Sequence, residues 1–135
     1  MPPVSEAQQK QLIEAALAVR ENAYAPFSGF HVGSALLADN GEVYSGANVE
    51  NSSYGLTICA ERSAATSAIS AGAKSIVAIA IASPGGASPC GACRQFLYEF
   101  GPDTLVWLTD SDAPEKPAKQ VILKDLLPGG FRLEQ

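Results

Sequence analysis

The sequence predicts an α/β fold, because helical and strand patterns alternate along most of the chain. Residues 75–82 and 104–109 are apolar without alternation, as expected of strands buried on both faces. Helices are predicted over residues 58–71 and 91–100, each followed by one of these strands. Together with a strand at residues 43–49 they make two successive βαβ units, which predict parallel strands joined by right-handed crossovers.

A helix and a hairpin precede these units. Ser5 and Gln8 form the pattern of a capping box at the start of the helix. The apolar residues that follow fall on one helical face: Leu12, Ile13, Ala16 and Leu17. Strands at residues 32–38 and 43–49 then flank Asp39-Asn40-Gly41-Glu42, a segment typical of a hairpin turn.

Helix-ending signals and a polar loop account for the rest of the chain. Gly72 is a good C-cap for the helix over residues 58–71. Gly101-Pro102 stops the helix over residues 91–100. Residues 110–119 form a polar loop, and residues 121–122 predict a short strand at the sheet edge.

Composition narrows the function classes. The 135 residues have the usual size of one domain, with 47% hydrophobic and 17% charged residues. The net charge of −5 disfavours a nucleic-acid partner, since backbone phosphates are bound by Lys and Arg. No signal peptide or apolar stretch of spanning length is apparent, so we expect a cytoplasmic protein with no membrane partner. Three cysteines cannot all pair with one another, so we also expect reduced thiols.

All three cysteines lie in two short motifs. Cys90 and Cys93 have the spacing that lets two sulfurs reach one metal ion, and Cys59 must arrive from another structural element. Zinc is commonly held by thiolates in a tetrahedron, and a catalytic zinc site has three protein ligands and an open position for water. Glu61, two residues after Cys59, is then a candidate proton carrier for that water. A redox Cys-x-x-Cys pair beside a free cysteine is the alternative.

Both motifs fall at predicted helix N-termini, just beyond the carboxyl ends of predicted strands, where open α/β sheets place their ligands. Three thiolates leave a zinc centre with negative charge, which two helix N-termini would stabilise. Arg62 lies three residues after Cys59, on the same helical face, so its guanidinium can donate to the sulfurs. The alternatives are a solvated arginine and, for Glu61, a carboxylate that only stabilises its helix.

Cys59-Ala-Glu61 followed by Pro89-Cys90-Gly-Ala-Cys93 matches the signature of the zinc-dependent nucleoside and nucleobase deaminases. The chain resembles the small, tetrameric cytidine deaminases almost from end to end. Five motifs occur in the family's order: Tyr24-Ala-Pro-Phe-Ser-Gly-Phe30-His-Val-Gly33, Gly46-Ala-Asn48-Val-Glu50-Asn51, Cys59-Ala-Glu61-Arg62, Ser88-Pro-Cys90-Gly-Ala-Cys93-Arg94-Gln95 and Leu126-Leu-Pro-Gly-Gly-Phe131. No position that the family uses for chemistry departs from its pattern.

The resemblance implies a single domain over residues 1–135, folded as a three-layer α/β/α sandwich with a mixed, mostly parallel sheet of about five strands. It implies one zinc ion per subunit, bound by Cys59, Cys90 and Cys93, with Glu61 as the catalytic acid and base. The implied reaction is hydrolytic deamination of cytidine and deoxycytidine to uridine and deoxyuridine, with release of ammonia, in pyrimidine salvage.

The resemblance also implies how the nucleoside is bound. Asn48 and Glu50 would hydrogen-bond the ribose 3′-hydroxyl, which an amide and a carboxylate can do together as donor and acceptor. A carboxylate there would repel phosphate, which favours nucleosides over nucleotides. Phe30 would pack against the pyrimidine; otherwise it is a core residue. His31, next in the strand, is expected to point away from the pocket.

Further contacts implied by the family come from the backbone and from a second subunit. The Ala60 N–H would bind the base carbonyl, and a backbone carbonyl near Ser88 would bind the amino group. Phe131 would reach into a neighbour's active site, which implies a homotetramer with shared sites; the alternative is a frayed terminus. Tyr54 matches an aromatic residue at subunit contacts.

Two other function classes stay open from the sequence. One is a related deaminase that acts on blasticidin S, guanine or a nucleic-acid base, although such relatives usually lack the Asn48-Val-Glu50-Asn51 pattern. The other is a non-enzymatic zinc or redox module, which would need neither Glu61 nor an open coordination position.

Overall fold

The computed structural model describes residues 4–134 and contains a five-stranded sheet with helices on both faces. The main elements, in chain order, are α1 (Glu6–Arg20), β1 (Gly33–Ala38), β2 (Val43–Ala47), α2 (Ala60–Ser70), β3 (Ile76–Ser83), α3 (Gly91–Tyr98), β4 (Leu105–Asp110) and β5 (Lys119–Ile122). Two short 3-10 helices, Tyr54–Leu56 and Leu123–Leu126, complete them. None of the helices in this described part combines the length and apolarity needed to cross a membrane.

The strand order is β2-β1-β3-β4-β5. The α/β class and the mixed sheet of five strands are confirmed. Strands β2, β3 and β4 run in one direction, as the two βαβ units predict, because β1 is antiparallel to both β2 and β3 while β3 and β4 are parallel. The expectation of a mostly parallel sheet is wrong for the pairing of neighbouring strands, because three of the four neighbouring pairs among the described strands are antiparallel. The short hairpin turn folds β1 back between β2 and β3, so in residues 4–134 only β3 and β4 form a parallel neighbouring pair.

Alternating side chains of the strands build two cores, which confirms the three layers. On one face, Leu36, Ile79 and Val106 pack with the alanines of α2 and with α3. On the opposite face α1 packs against small residues of β1 and β3 and against Trp107, which is 2% exposed and donates its indole N–H to Gln120 Oε1 over 2.9 Å. Trp107 is therefore a core residue.

Local signals place the ends of the elements close to their predicted positions. The capping box is present: Ser5 Oγ accepts from the Gln8 N–H and Gln8 Oε1 accepts from the Ser5 N–H. In the hairpin, Gly41 has a φ of 82°, a conformation that favours glycine, and its N–H donates to the Ala38 carbonyl. Gly72, with a φ of 102°, follows the C-cap of α2.

Helix α2 lies so close to β2 that the strand needs glycine at position 46. A Cβ atom there would be 2.5 Å from the backbone nitrogen of Ala64 and 2.6 Å from Cβ of Ser63. Ala64, Ala65 and Ala68 of α2 are buried by other residues of the same subunit. Most of the small residues of α2 thus serve packing within the subunit, and the close approach fixes the helix that begins beside Cys59.

Candidate metal centre and adjoining cavity

The three cysteines converge at the N-termini of α2 and α3. Cys59 is the N-cap of α2, Cys90 is the N-cap of α3, and Cys93 lies in the first turn of α3. All three are free, and their sulfurs lie within 4.8 Å of one another. A zinc ion with Zn–S bonds of about 2.3 Å in tetrahedral geometry requires sulfurs about 3.8 Å apart, and Sγ of Cys59 lies 3.8 Å from Sγ of Cys90. The residues fit a zinc ion with three protein ligands.

The charges around the cluster favour a bound cation. A hydrogen bond from Cys93 lowers the pKa of Cys59 to about 5, with a further contribution from Arg62, whose Nη2 lies 3.6 Å from Sγ of Cys59. The same hydrogen bond, together with burial, raises the pKa of Cys93. A lowered pKa favours the thiolate form of Cys59, which is the form that binds a metal ion. The expected contact between Arg62 and the cluster is thus present, and the Cys59 sulfur raises the pKa of Arg62 in turn.

A cavity of about 180 Å³ opens beside the sulfurs. Its wall combines the two cysteine motifs with the ends of the strands; it is formed by Phe30, Val32, Asn48, Thr57, Cys59, Ala60, Glu61, Ile81, Ser83, Ala87, Ser88 and Cys90. Larger grooves of about 650 Å³ and 490 Å³ lie elsewhere, but none of the predicted site residues lines them. The small cavity therefore holds the candidate chemistry.

Glu61 is buried in the wall of this cavity, with 5% of its surface exposed. Burial above all raises the pKa of its carboxyl group to about 7, and the neighbouring negative sulfur of Cys59 contributes to this rise. A carboxyl group with a pKa near neutrality can both take and give a proton at physiological pH. The wall thus contains a proton carrier beside the place where a metal ion fits.

Asn48 lines the cavity and also fixes the backbone around Phe30. Its Nδ2 donates to the Phe30 carbonyl over 2.8 Å, and its Oδ1 accepts from the Val32 N–H over 2.9 Å. The amide nitrogen carries two hydrogens. Among residues 4–134 its one acceptor is the Phe30 carbonyl, so its second N–H can donate to a ligand. Asn48 is therefore both a structural residue and a candidate donor.

Glu50 lies outside the cavity, in a neighbouring groove of about 310 Å³ lined also by Phe27, Ser28, Tyr54 and Thr57. Its Oε1 accepts from the N–H groups of Phe27 and Ser28 over 2.9 and 3.1 Å, and its Oε2 accepts from the Ser28 hydroxyl. These hydrogen bonds, that of the Ser28 hydroxyl above all, lower the pKa of the carboxyl group, so it is ionised at neutral pH. Thr57 lines both spaces and connects them.

Phe131 does not line the cavity of its own chain. Its side chain is 63% exposed, and its carbonyl accepts from Gln95 Nε2 on α3 over 3.1 Å. His31 also lies outside the cavity lining, as expected; its carbonyl accepts from Nε of Arg20. Of the predicted substrate-binding residues, Phe131 is the one that lines neither the cavity nor the neighbouring groove.

Several cavity residues were missed by the sequence analysis: Val32, Thr57, Ile81, Ser83 and Ala87. Val32 and Ile81 carried only the signal of buried strands, although strand ends in such sheets generally face a ligand site. Thr57, just before the Cys59 motif, carried no signal of its own.

Comparisons with known proteins agree with this geometry. The family model described as the cytidine and deoxycytidylate deaminase zinc-binding region matches residues 6–109. The cytidine deaminase of Halalkalibacterium halodurans is 45% identical over 129 residues, covering 93% of this chain and 96% of that protein. The probable cytidine deaminase of Dictyostelium discoideum is 42% identical over 134 residues, covering 97% and 88%.

A solved structure gives the same result. The crystal structure of cytidine deaminase from Burkholderia pseudomallei superposes with a TM-score of 0.84 at 47% identity, covering 90% of this chain and 98% of that one. Because the family model spans most of the chain and the relatives align over nearly their whole length, the chain belongs to the zinc-binding cytidine and deoxycytidylate deaminase family.

Proposed function

We propose that this protein deaminates cytidine and deoxycytidine by hydrolysis, yielding uridine or deoxyuridine and ammonia, as a step in pyrimidine salvage. The observation that carries the proposal is the burial of Glu61 beside three converging cysteine sulfurs, in the wall of a cavity of about 180 Å³. A non-enzymatic zinc or redox module would need neither this carboxyl group nor the cavity. The relatives named as cytidine deaminases support the choice of substrate.

Cys59, Cys90 and Cys93 would hold the zinc ion, which supplies Lewis acidity that lowers the pKa of a bound water molecule. Glu61 would take one proton from the attacking water and deliver it to N3 of the pyrimidine as the water oxygen bonds to C4. It would then pass the second proton of that water to the amine as the C4–N4 bond breaks, so that water and cytidine become uridine and ammonia. The raised pKa of Glu61, about 7, suits both directions of transfer. Arg62 donates to the Cys59 sulfur and offsets part of the thiolate charge.

The proposed orientation of the base uses groups at the cavity wall. Ala60 is the first residue of α2, where backbone N–H groups have no partner within the helix. Its N–H would bind the base carbonyl, and a backbone carbonyl near Ser88 would accept from the amino group. Phe30, whose backbone is held by Asn48, would pack against the ring.

The sugar would extend from the cavity past Thr57 into the neighbouring groove. The second N–H of Asn48, from the cavity wall, and the ionised carboxylate of Glu50, from the groove, would together bind the ribose 3′-hydroxyl. The position of Glu50 in a separate but adjoining space supports this division, because base and sugar need two connected compartments. A fixed negative charge at this end would also disfavour a nucleotide phosphate.

We propose a homotetramer with shared active sites. Exposed large apolar residues come mainly from the segments around the cavity and the neighbouring groove: Tyr24, Phe27, Phe30, Val49, Tyr54, Leu56 and Ile58. Exposed apolar surface of this kind marks interaction sites. Phe131, exposed and held at its backbone by Gln95, would enter a neighbour's pocket.

Truncation before Gly129 should raise the KM for cytidine without changing zinc content. An unchanged KM, or a fully active monomer in sedimentation, would overturn the sharing of sites.

We also propose one domain over residues 1–135 and a cytoplasmic location. One sheet carrying both cores supports the first, and three free thiols in place of a disulfide support the second.

The test of the proposed function is release of ammonia and formation of uridine, assayed side by side with cytidine, deoxycytidine, guanine and blasticidin S. Turnover of the two nucleosides, with little or none of guanine and blasticidin S, is expected. Preferred turnover of guanine or blasticidin S would assign the chain another substrate. Absence of turnover with every compound, in protein shown to contain zinc, would refute the proposed function.

A further inference from the structure

Arg94, the residue after Cys93 on α3, binds three acceptors with three different nitrogens. Its Nε donates to the Pro89 carbonyl over 2.7 Å, its Nη2 to the Ser88 hydroxyl over 3.0 Å, and its Nη1 to the Leu126 carbonyl over 2.8 Å. A guanidinium group is planar and rigid, so three contacts with three different nitrogens fix its orientation.

The three acceptors belong to two separate segments. Ser88 lines the cavity and Pro89 directly precedes Cys90. Leu126 ends the 3-10 helix Leu123–Leu126, and the chain then turns towards Phe131. Within residues 4–134, Arg94 is the only donor to the Ser88 hydroxyl and to the carbonyls of Pro89 and Leu126. One side chain therefore connects the loop before a metal-binding cysteine to the C-terminal segment.

Gln95 extends the same connection. Its Nε2 donates to the Phe131 carbonyl over 3.1 Å. Consecutive residues of α3 thus hold the C-terminal segment at two points, Leu126 and Phe131. Because Cys93 precedes them on the same helix, both the segment and the loop are positioned relative to a cysteine of the cluster.

We propose that Arg94 is a positioning residue that sets the Ser88–Pro89–Cys90 loop and the C-terminal segment in one fixed arrangement around the site. The proposal deepens the proposed function and rests on it for the role of the C-terminal segment. If Arg94 is lost, Cys90 is less firmly placed, so zinc is retained less well. The C-terminal segment is loosened as well, so the nucleoside is bound less tightly.

The test compares Arg94→Lys and Arg94→Gln with wild type and with Lys124→Gln. Lysine keeps the charge, but its single nitrogen cannot meet three separate acceptors. Lys124 is the matched control: it lies in the same 3-10 helix as Leu126, and its 2.9 Å ion pair with Asp103 is exposed and touches neither the loop nor the cavity. The measurements are the rate of zinc release to a colorimetric chelator, kcat and KM for cytidine, and the thermal midpoint.

Both Arg94 variants should release zinc roughly 10- to 100-fold faster, the usual scale for a group that orients a metal ligand. Their KM should rise by a larger factor than their kcat falls, while Lys124→Gln matches wild type. Wild-type zinc release and KM in Arg94→Lys would overturn the proposal. The proposal would also be overturned if Lys124→Gln released zinc faster and raised the KM as much as the Arg94 variants do for the same drop in thermal midpoint. Such a result would show that Arg94 only stabilises the fold. Failure of wild type to deaminate cytidine would refute the proposed function, but the zinc-release rates would still decide the role of Arg94.

Discussion

Sγ of Cys59 lies 3.8 Å from Sγ of Cys90, although the two residues are 31 positions apart in the chain. Each of these cysteines caps the N-terminus of a helix, α2 or α3. Strands β2 and β3, which run in the same direction, deliver the chain to these two helices at the same edge of the sheet. The crossovers of the fold therefore create the metal site, and the two helix N-termini favour its negative charge.

The first prediction concerns metal content. Purified protein should contain one zinc ion per chain, and Cys59→Ala or Cys93→Ala should reduce this to near zero because two sulfurs leave the coordination incomplete. Elemental analysis gives the result directly, with Ser67→Ala, an exposed change on α2, as the control expected to keep its zinc. Full zinc in Cys93→Ala, or a Cys90–Cys93 disulfide in the active protein, would contradict the ligand set.

The second prediction concerns the sugar. Cytidine should be preferred over free cytosine by orders of magnitude, up to about 10⁴-fold in kcat/KM. The reason is that the polar groups that bind the sugar hydroxyl have no partner when cytosine is bound. Glu50→Ala and Asn48→Ala should both narrow this preference. Asn48→Ala should also slow turnover of cytosine itself, since Asn48 holds the backbone at Phe30 and Val32. Equal kcat/KM for cytosine and cytidine would contradict the sugar-binding role, and efficient turnover of CMP would contradict the placement of Glu50.

The third prediction concerns packing of α2. Gly46→Ala should lower the free energy of unfolding by about 1–3 kcal/mol or more, the usual cost of overpacking. The added Cβ atom would lie 2.5 Å from the backbone nitrogen of Ala64. Gly55→Ala is the matched control, since a Cβ there meets nothing within 4 Å. Unfolding should be followed at equal protein concentrations. If both variants unfold like wild type, the close approach of α2 and β2 is not the constraint described above.

The sequence was a good guide wherever the signal was local. The capping box at Ser5, the turn at Gly41 and the cysteine spacing each depend on neighbouring residues, and the structure contains all three. The insertion of β1 between β2 and β3 could not be predicted, because the order of strands depends on contacts far apart in the chain. Thr57 was missed for the same reason: its place between two compartments exists only once the loops around it are folded.

The most direct test of the central claim, that Glu61 carries protons in a zinc-dependent deamination of cytidine, is the turnover of Glu61→Gln measured together with its zinc content. Glu14→Gln, a change on the exposed face of α1, serves as the control. We predict that Glu61→Gln keeps its fold and one zinc ion per chain but loses at least about 10²-fold in kcat, the usual scale for a general acid–base group, while wild type and the control form uridine and ammonia in equal amounts. Near-normal turnover of cytidine by zinc-loaded Glu61→Gln would contradict the account.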